Sequence, residues 1–226
     1  MMYRYLLFDA DNTLFDFDSS ERAAFHELLD SIGVSFSDSL YEIYHEKNAI
    51  CWRMLERGET TTDELRGLRF AMFLDEAGLD VGLTAAEVSR IYESCLGRQS
   101  ILLPGALETV RELSGRYTLL LITNGLVNIQ RKRFEASLIR PYFKEAYISE
   151  EIGHKKPELA YFETVLAAEG ITERGECLVI GDSLTADIDG ALASGIDCCW
   201  LDSGADVGDR QIKYRIRNIV ELKDIL

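Results

Sequence analysis

The feature that most constrains the fold is a series of short apolar runs, each of which stops abruptly at polar residues. The clearest run covers residues 117–123 (YTLLLIT) and ends at Asn124-Gly125, a turn signal. A run of this length without regular polar alternation is typical of a strand buried on both faces. The same pattern predicts further strands at residues 3–8, 146–149, 176–180 and 197–201.

Helical patterns fill most of the intervals between these runs. Apolar residues recur at helical spacing after Pro104-Gly105 and over residues 126–138, 157–168 and 184–193. Strands that alternate with helices of this length indicate βαβ units. We therefore predict an α/β fold, in which a Rossmann-like parallel sheet carries helices on both faces.

The segment between the first two predicted strands has a different character. It contains no convincing strand, and its pattern predicts four helices, at residues 21–31, 39–57, 62–77 and 85–98. An all-helical insertion after the first strand is most simply a cap over the carboxyl edge of the sheet. We therefore expect an α/β core domain formed by residues 1–17 and 101–226, and a helical cap domain at residues 18–100.

The charge balance limits the classes of partner. The chain of 226 residues carries a formal net charge of -15, with a pI near 4.6. Such a surface repels nucleic acid and anionic lipid, so neither is expected as a partner, and no run is long enough for a membrane span. An anionic substrate would instead need a local positive site. The five cysteines form no CxxC pair, which favours a reduced, cytoplasmic protein, and the three scattered histidines disfavour zinc.

Polar residues suited to phosphate chemistry follow the first two predicted strands, at the sheet edge where α/β proteins bind ligands. After the first strand come Asp9 and Asp11. One ionised carboxylate can attack phosphorus while a second protonates the leaving oxygen, although an acidic turn or helix cap is the alternative. After the second strand, Thr123, Asn124 and Gly125 offer hydroxyl, amide and N–H groups to phosphate oxygens, or else form an ordinary turn.

Two later segments complete the pattern. Lys156 precedes Pro157 and is suited to neutralising carboxylate and phosphate, unless it belongs to a solvated basic pair. Asp182 follows the fourth predicted strand, with Asp187 nearby, and Mg²⁺ prefers such oxygen ligands. Helix capping is the alternative role for Asp182. Because all the segments occur at matching ends of their elements, we expect them to form one site.

These segments, DADNT, TNG, KKP and GDS, resemble the four motifs of the haloacid dehalogenase superfamily. The resemblance covers nearly the whole chain, including a helical cap between the first two motifs. Longer stretches, DADNTLFDFD, ITNG, ISEEIGHKKP and CWL, are similar to the bacterial pyrimidine 5′-nucleotidase branch, which dephosphorylates UMP, dUMP and dTMP. In the cap, Asn48, Trp52 and Arg69 also resemble that branch.

The resemblance implies a mechanism and a cofactor. Asp9 would be the nucleophile that forms an aspartyl-phosphate, and Asp11 would be the proton-transfer partner. Mg²⁺, for which Mn²⁺ or another divalent ion can substitute, would be held by Asp9, Asp182 and the Asp11 backbone carbonyl, with Asp187 in support. The remaining phosphate oxygens would be held by Thr123, Asn124, Gly125 and Lys156.

The resemblance also implies a small-molecule phosphomonoester substrate, and it leaves the oligomeric state open. Trp52 would stack on a base, or else belong to the core of the helix bundle. Asn48 and Arg69 would hydrogen-bond to base or sugar, or else Arg69 would pair with an acidic neighbour. Alternative functions are a phosphatase of another small phosphoester, such as a sugar phosphate or phosphoglycolate, and less favoured are a phosphomutase or an inactive binding protein. The second carboxylate argues against dehalogenation.

Overall fold

The chain divides into two compact units. The computed structural model describes residues 3–226. The first unit comprises the chain up to Asp18 together with Ser100–Leu226, and the second comprises Ser19–Gln99.

The first unit is built on a parallel sheet. Within residues 3–226 the sheet has six strands in the order β3-β2-β1-β4-β5-β6, and all the pairings are parallel. The strands are β1 (Tyr5–Asp9), β2 (Thr118–Thr123), β3 (Phe143–Ile148), β4 (Cys177–Gly181), β5 (Asp197–Leu201) and β6 (Tyr214–Ile216). The first five confirm the predicted runs, with boundaries shifted by up to three residues. The short edge strand β6 was not predicted, because three residues that include the exposed Arg215 give no apolar run.

Side chains of the central strands alternate between two apolar cores. Leu6 and Phe8 of β1 belong to one core, whereas Leu7 belongs to the other. Strand β2 divides in the same way, because Leu121 lies in the first core and Leu120 in the second. Apolar cores on both faces explain why these strands read as continuous apolar runs.

The second unit is entirely helical within its described residues. Its helices are α1 (Phe17–Ser31), which begins in the first unit, α2 (Asp38–Glu56), α3 (Thr62–Glu76) and α4 (Ala85–Gly97). Helices α3 and α4 each begin at a capping box, formed by Thr61 with Glu64 and by Thr84 with Glu87. Stacked and edge-on rings fill its core, contributed by Phe25, Tyr44, Phe70, Phe73 and Tyr92.

The remaining helices belong to the first unit. They are α5 (Ala106–Leu113), α6 (Val127–Ala136), α7 (Ser149–Ile152), α8 (Leu159–Glu169), α9 (Asp189–Ala193) and α10 (Leu222–Ile225). The helix predicted at residues 184–193 is divided, since Leu184–Ile188 forms a π-helical turn before α9. Among all the described helices, none combines the length and apolar character needed to cross a bilayer.

The chain leaves the sheet region and returns to it at neighbouring points. Phe15 forms an antiparallel bridge with Leu102. The Asp16 N–H donates to Ile101 O at 3.0 Å, and the Leu103 N–H donates to Leu14 O at 2.9 Å. The two ends of the helical insertion are therefore joined by backbone hydrogen bonds within the first unit.

Candidate active site

The carboxyl ends of the three adjacent strands β2, β1 and β4 carry the polar residues expected from the sequence. Asp9 is the last residue of β1, Thr123 the last of β2, and Asp182 directly follows β4. Because the strands are parallel and paired in register, these ends meet at one edge of the sheet.

Three carboxylates converge at this edge. One oxygen each from Asp9, Asp182 and Asp187 lies within 4.8 Å of the others. Gly181 permits this approach, because a Cβ added there would lie 2.3 Å from Asp187 Oδ2. The Ser183 N–H holds the same Asp187 oxygen at 3.1 Å. Asp187 is therefore itself a member of the carboxylate cluster, whereas it was expected from the sequence only to support the metal ligands.

Lys156 is the cation of this cluster in the described part of the chain. Its Nζ donates to Asp9 Oδ1 at 2.5 Å and to Asp187 Oδ1 at 2.7 Å, and the residue is buried. The Asn124 side chain fixes the Lys156 backbone through two reciprocal hydrogen bonds of 2.8 Å. The lysine is therefore a held point charge between two carboxylates, and not part of a solvated basic pair.

Burial and neighbouring charges shift the pKa values of Asp9, Asp182 and Lys156. Burial raises the pKa of Asp9 well above its ordinary range, against the lowering effect of Lys156, and Asp187 and Asp182 raise it further. Burial and the neighbouring Asp187 raise the pKa of Asp182 to about 7. Burial alone would lower the pKa of Lys156, but Asp187 and Asp9 outweigh it, and the net pKa is raised. Asp9 and Asp182 are thus destabilised in their ionised form.

The cluster suits a divalent cation in charge and in donor type. When ionised, Asp9, Asp182 and Asp187 carry three negative charges, and Lys156 supplies one positive charge. The net charge of the cluster is then -2, and because two of the three carboxylates are buried, this excess costs free energy unless a cation compensates it. All the donors are carboxylate oxygens, the ligands that Mg²⁺ prefers. The residues present therefore fit a magnesium ion.

The Asp11 side chain points to different partners. Its carboxylate is not a member of the three-carboxylate cluster and is instead held by α6. Gln130 Nε2 donates to Asp11 Oδ2 at 2.6 Å, and Arg133 Nη1 donates to Asp11 Oδ1. The carboxylate is about a quarter exposed, in contrast to the buried Arg133.

The segment after β2 uses its polar groups partly within the protein. Thr123 Oγ1 accepts a hydrogen bond from the Gly125 N–H at 3.0 Å, which leaves the Thr123 hydroxyl hydrogen for another acceptor. The Thr123 N–H donates to the buried Tyr161 hydroxyl at 3.0 Å. The Asn124 side chain is occupied by Lys156, so its evident effect is to position that lysine.

Asn48 and Arg69 lie together inside the helical unit. Asn48 Nδ2 donates to the buried Glu21 carboxylate at 2.7 Å, and Arg69 Nη1 donates to Asn48 Oδ1 at 3.2 Å. Burial raises the pKa of Glu21, and its hydrogen bond with His45 opposes that shift. Trp52 is only half-buried and packs against an apolar cluster of Cys51, Leu55 and Leu65.

Gln130 and Arg133 were not singled out in the sequence. Both lie in a predicted helix directly after the TNG segment, three residues apart, which places them on one face. The signal available in the sequence was that each of these polar residues is adjacent to an apolar residue of the same helix, Ile129 or Phe134, and both apolar residues are buried. Their common partner lies more than a hundred residues away in the chain, where helical periodicity carries no information.

The fold and this acidic edge agree with the comparison with known proteins. The family model for haloacid dehalogenase-like hydrolases matches residues 3–195. The chain therefore belongs to the haloacid dehalogenase-like hydrolase family and is an enzyme, as the motifs indicated.

Individual proteins are also similar to this chain over most of its length. YfnB of Bacillus subtilis (strain 168) is 34% identical over 99% of this chain and 95% of its own length. A crystal structure of YfnB bound to magnesium has a TM-score of 0.93 and covers 100% of this chain and 99% of its own.

Two pyrimidine 5′-nucleotidases are similar as well. PynA of Streptococcus pneumoniae is 34% identical, with 88% of this chain and 84% of PynA covered. YjjG of Escherichia coli (strain K12) is 30% identical, with 90% of this chain and 88% of YjjG covered.

Proposed function

We propose that this enzyme is a Mg²⁺-dependent phosphatase that forms an aspartyl-phosphate on Asp9 and hydrolyses pyrimidine nucleoside 5′-monophosphates such as UMP, dUMP and dTMP. The observation that carries the proposal is the meeting of Asp9 with Asp182, Asp187 and Lys156 at the carboxyl edge of the sheet. The likeness to PynA and YjjG supports the choice of substrate.

In the first step, an Asp9 carboxylate oxygen attacks phosphorus and the bond from phosphorus to the nucleoside oxygen breaks. The proton for that oxygen comes from Asp11, which becomes ionised. In the second step, Asp11 takes a proton from water as the water oxygen attacks phosphorus, which releases phosphate and restores the Asp9 carboxylate. Lys156 keeps the nucleophile oriented through its 2.5 Å hydrogen bond.

The metal ion would be held by the carboxylates of Asp9 and Asp182, by Asp187 and by the backbone carbonyl of Asp11. Bound Mg²⁺ would supply positive charge that offsets the charge on the phosphate oxygens and on the attacking carboxylate. Together with Lys156 it would provide the local positive site that an anionic substrate needs on a chain of net charge -15.

The phosphate oxygens are assigned to the Thr123 hydroxyl, the backbone N–H of Asn124 and the positive charge of Lys156. The Gly125 N–H, expected from the sequence to bind phosphate as well, donates instead to Thr123 Oγ1. We assign leaving-group selection to the helical unit, where Trp52 would contact the base and Asn48 and Arg69 would act on base or sugar. The burial of Asn48 and Arg69 against Glu21 equally suits a structural role, so Trp52 is the first position to test.

A phosphate-release screen tests the substrate assignment. Purified enzyme with Mg²⁺ is assayed against UMP, dUMP and dTMP, and in parallel against sugar phosphates and phosphoglycolate. We expect kcat/KM to be highest for the pyrimidine nucleotides, with no release by the Asp9→Asn variant. Turnover of sugar phosphates or phosphoglycolate without turnover of these nucleotides would assign the enzyme to the alternative class of phosphatase.

We also propose a cytoplasmic location. All five cysteines are buried and unpaired, as expected for a protein kept in a reducing compartment.

A further inference from the structure

Two side chains of α6 hold both oxygens of the Asp11 carboxylate. Gln130 Nε2 lies 2.6 Å from Oδ2, and Arg133 Nη1 donates to Oδ1. The two donors are 119 and 122 residues away from Asp11 in the chain. Contacts to both oxygens fix the plane of the carboxylate as well as its position.

The two donors are themselves held firmly. Arg133 is fully buried, and its guanidinium lies 4.7 Å from the ring centroid of Phe15 and 5.8 Å from that of Phe17. Gln130 is only 2% exposed. Neither side chain has room to swing away without disturbing its neighbours.

Gly125 makes the Gln130 contact possible. A Cβ added to Gly125 would lie 2.2 Å from Gln130 Nε2, 2.8 Å from its Cδ and 2.6 Å from its Cγ. The side chain of Gln130 therefore passes directly over the backbone of the TNG segment. The glycine is required here by this close approach, because its φ is not among the positive values.

We propose that Gln130 and Arg133 are positioning residues that orient Asp11 for proton transfer to the leaving oxygen. This inference rests on the proposed function. Each carboxylate oxygen has two lone-pair directions, so a donor on one leaves the other for the transferred proton. As the phosphorus–oxygen bond breaks, its electron pair stays on the leaving oxygen, which takes the proton from Asp11. A carboxyl group that could rotate freely would be aligned with the leaving oxygen for a smaller fraction of the time.

The leaving group provides the test. A nucleoside oxygen needs a proton to depart, whereas nitrophenolate departs from p-nitrophenyl phosphate without one. The variants are Gln130→Leu and Arg133→Met, with Arg131→Met as matched control, because Arg131 lies on the same helix and pairs instead with Glu145 and Glu151. The first-turnover release of uridine from UMP and of nitrophenol is measured by rapid quench and stopped flow.

For Gln130→Leu we expect the first-turnover rate of uridine release to fall about 30-fold to 100-fold, which is at or just below the lower end of what general acid catalysis contributes, because Asp11 itself remains. The first-turnover rate of nitrophenol release should stay within about 3-fold of wild type, and KM should change little. Arg133→Met should show the same selectivity, and Arg131→Met should leave both rates unchanged.

Equal losses on both substrates, or no loss on either, would overturn the positioning role. Gln130→Leu is close to isosteric, so it remains informative if Arg133→Met does not fold. A wild-type enzyme that releases phosphate from no alkyl phosphomonoester would instead overturn the proposed function. An active wild type with unselective variants would overturn this inference alone.

Discussion

The ionised form of Asp9 is destabilised, since burial and two neighbouring carboxylates oppose its ionisation and raise its pKa. This destabilisation suits the proposed role of Asp9, because a buried, poorly solvated carboxylate is a better nucleophile and a stronger ligand for a cation than one in water. Lys156 reduces the destabilisation and at the same time fixes the direction of the carboxylate.

Replacement of Asp9 by Asn should separate activity from folding. We expect turnover to fall by about 10⁴-fold or more, because the proposed nucleophile is lost. The melting temperature measured in EDTA should be at least that of the wild type, since one destabilised charge is removed. Circular dichroism and phosphate release measure the two effects, with the exposed Asp209→Asn as control. Near-normal turnover of the Asp9 variant would remove Asp9 from the nucleophile role.

The contact between Gly125 and Gln130 leads to a prediction of non-additivity. Gly125→Ala should displace Gln130 from Asp11 and lower the kcat for UMP about 10-fold or more. In a Gln130→Ala background the side chain that would clash is absent, so Gly125→Ala should cost little further activity. A double-mutant cycle on kcat measures this coupling. Additive losses would show that Gly125 acts independently of Gln130.

At the scale of elements, two helical glycines should respond to alanine with opposite signs. A Cβ on Gly190 of α9 would lie 2.4 Å from the buried Phe162 ring and 3.1 Å from Pro157 Cα. A Cβ on Gly67 in the interior of α3 meets nothing within 4 Å. We expect Gly190→Ala to lower the free energy of unfolding by about 1–3 kcal/mol.

Gly67→Ala should raise the free energy of unfolding by about 0.5–1 kcal/mol, because alanine is the better helix former and no atom obstructs it. Urea denaturation of both variants beside wild type measures the two changes. A stabilised Gly190→Ala protein would mean that α9 can shift away from α8 without cost.

Elements with a strong local signal were predictable. The α/β class, the parallel strands and the four-helix insertion follow from apolar runs and helical periodicity, and the structure confirms the fold class. Strand β6 was not predicted, because it has only three residues and is defined by its pairing with β5, which sequence patterns do not reveal. The π-helical turn at Leu184–Ile188 was not predicted, because the spacing of apolar residues there fits an ordinary α-helix as well.

The candidate site was predictable where it depends on sheet geometry. Asp9, Asp182 and Lys156 were expected at one edge, and the structure brings them together. The direct place of Asp187 in the cluster and the contacts of Gln130 and Arg133 to Asp11 depend on side-chain directions between distant segments. Such directions leave no periodic trace in the sequence.

For the whole molecule, divalent metal should control both activity and stability. We expect EDTA to abolish phosphate release and added Mg²⁺ to restore it. Mg²⁺ at about 100 times its dissociation constant should raise the free energy of unfolding by about 2.7 kcal/mol. Thermal melts across a Mg²⁺ titration measure this effect. Asp182→Asn should respond at higher Mg²⁺ concentrations than wild type, and metal-independent turnover would contradict the magnesium requirement.

The adjacent hydrogen-bonded ends of the helical insertion, at Phe15 and Leu102, have an evolutionary consequence. A segment that departs and returns at one spot can grow, shrink or be exchanged as a cassette, because the entropy of closing it rises only slowly with its length. The strands on either side would keep their paths through every such exchange. Descendants of one ancestral chain could thus differ in this insertion while they keep the same cluster of carboxylates at the edge of the sheet.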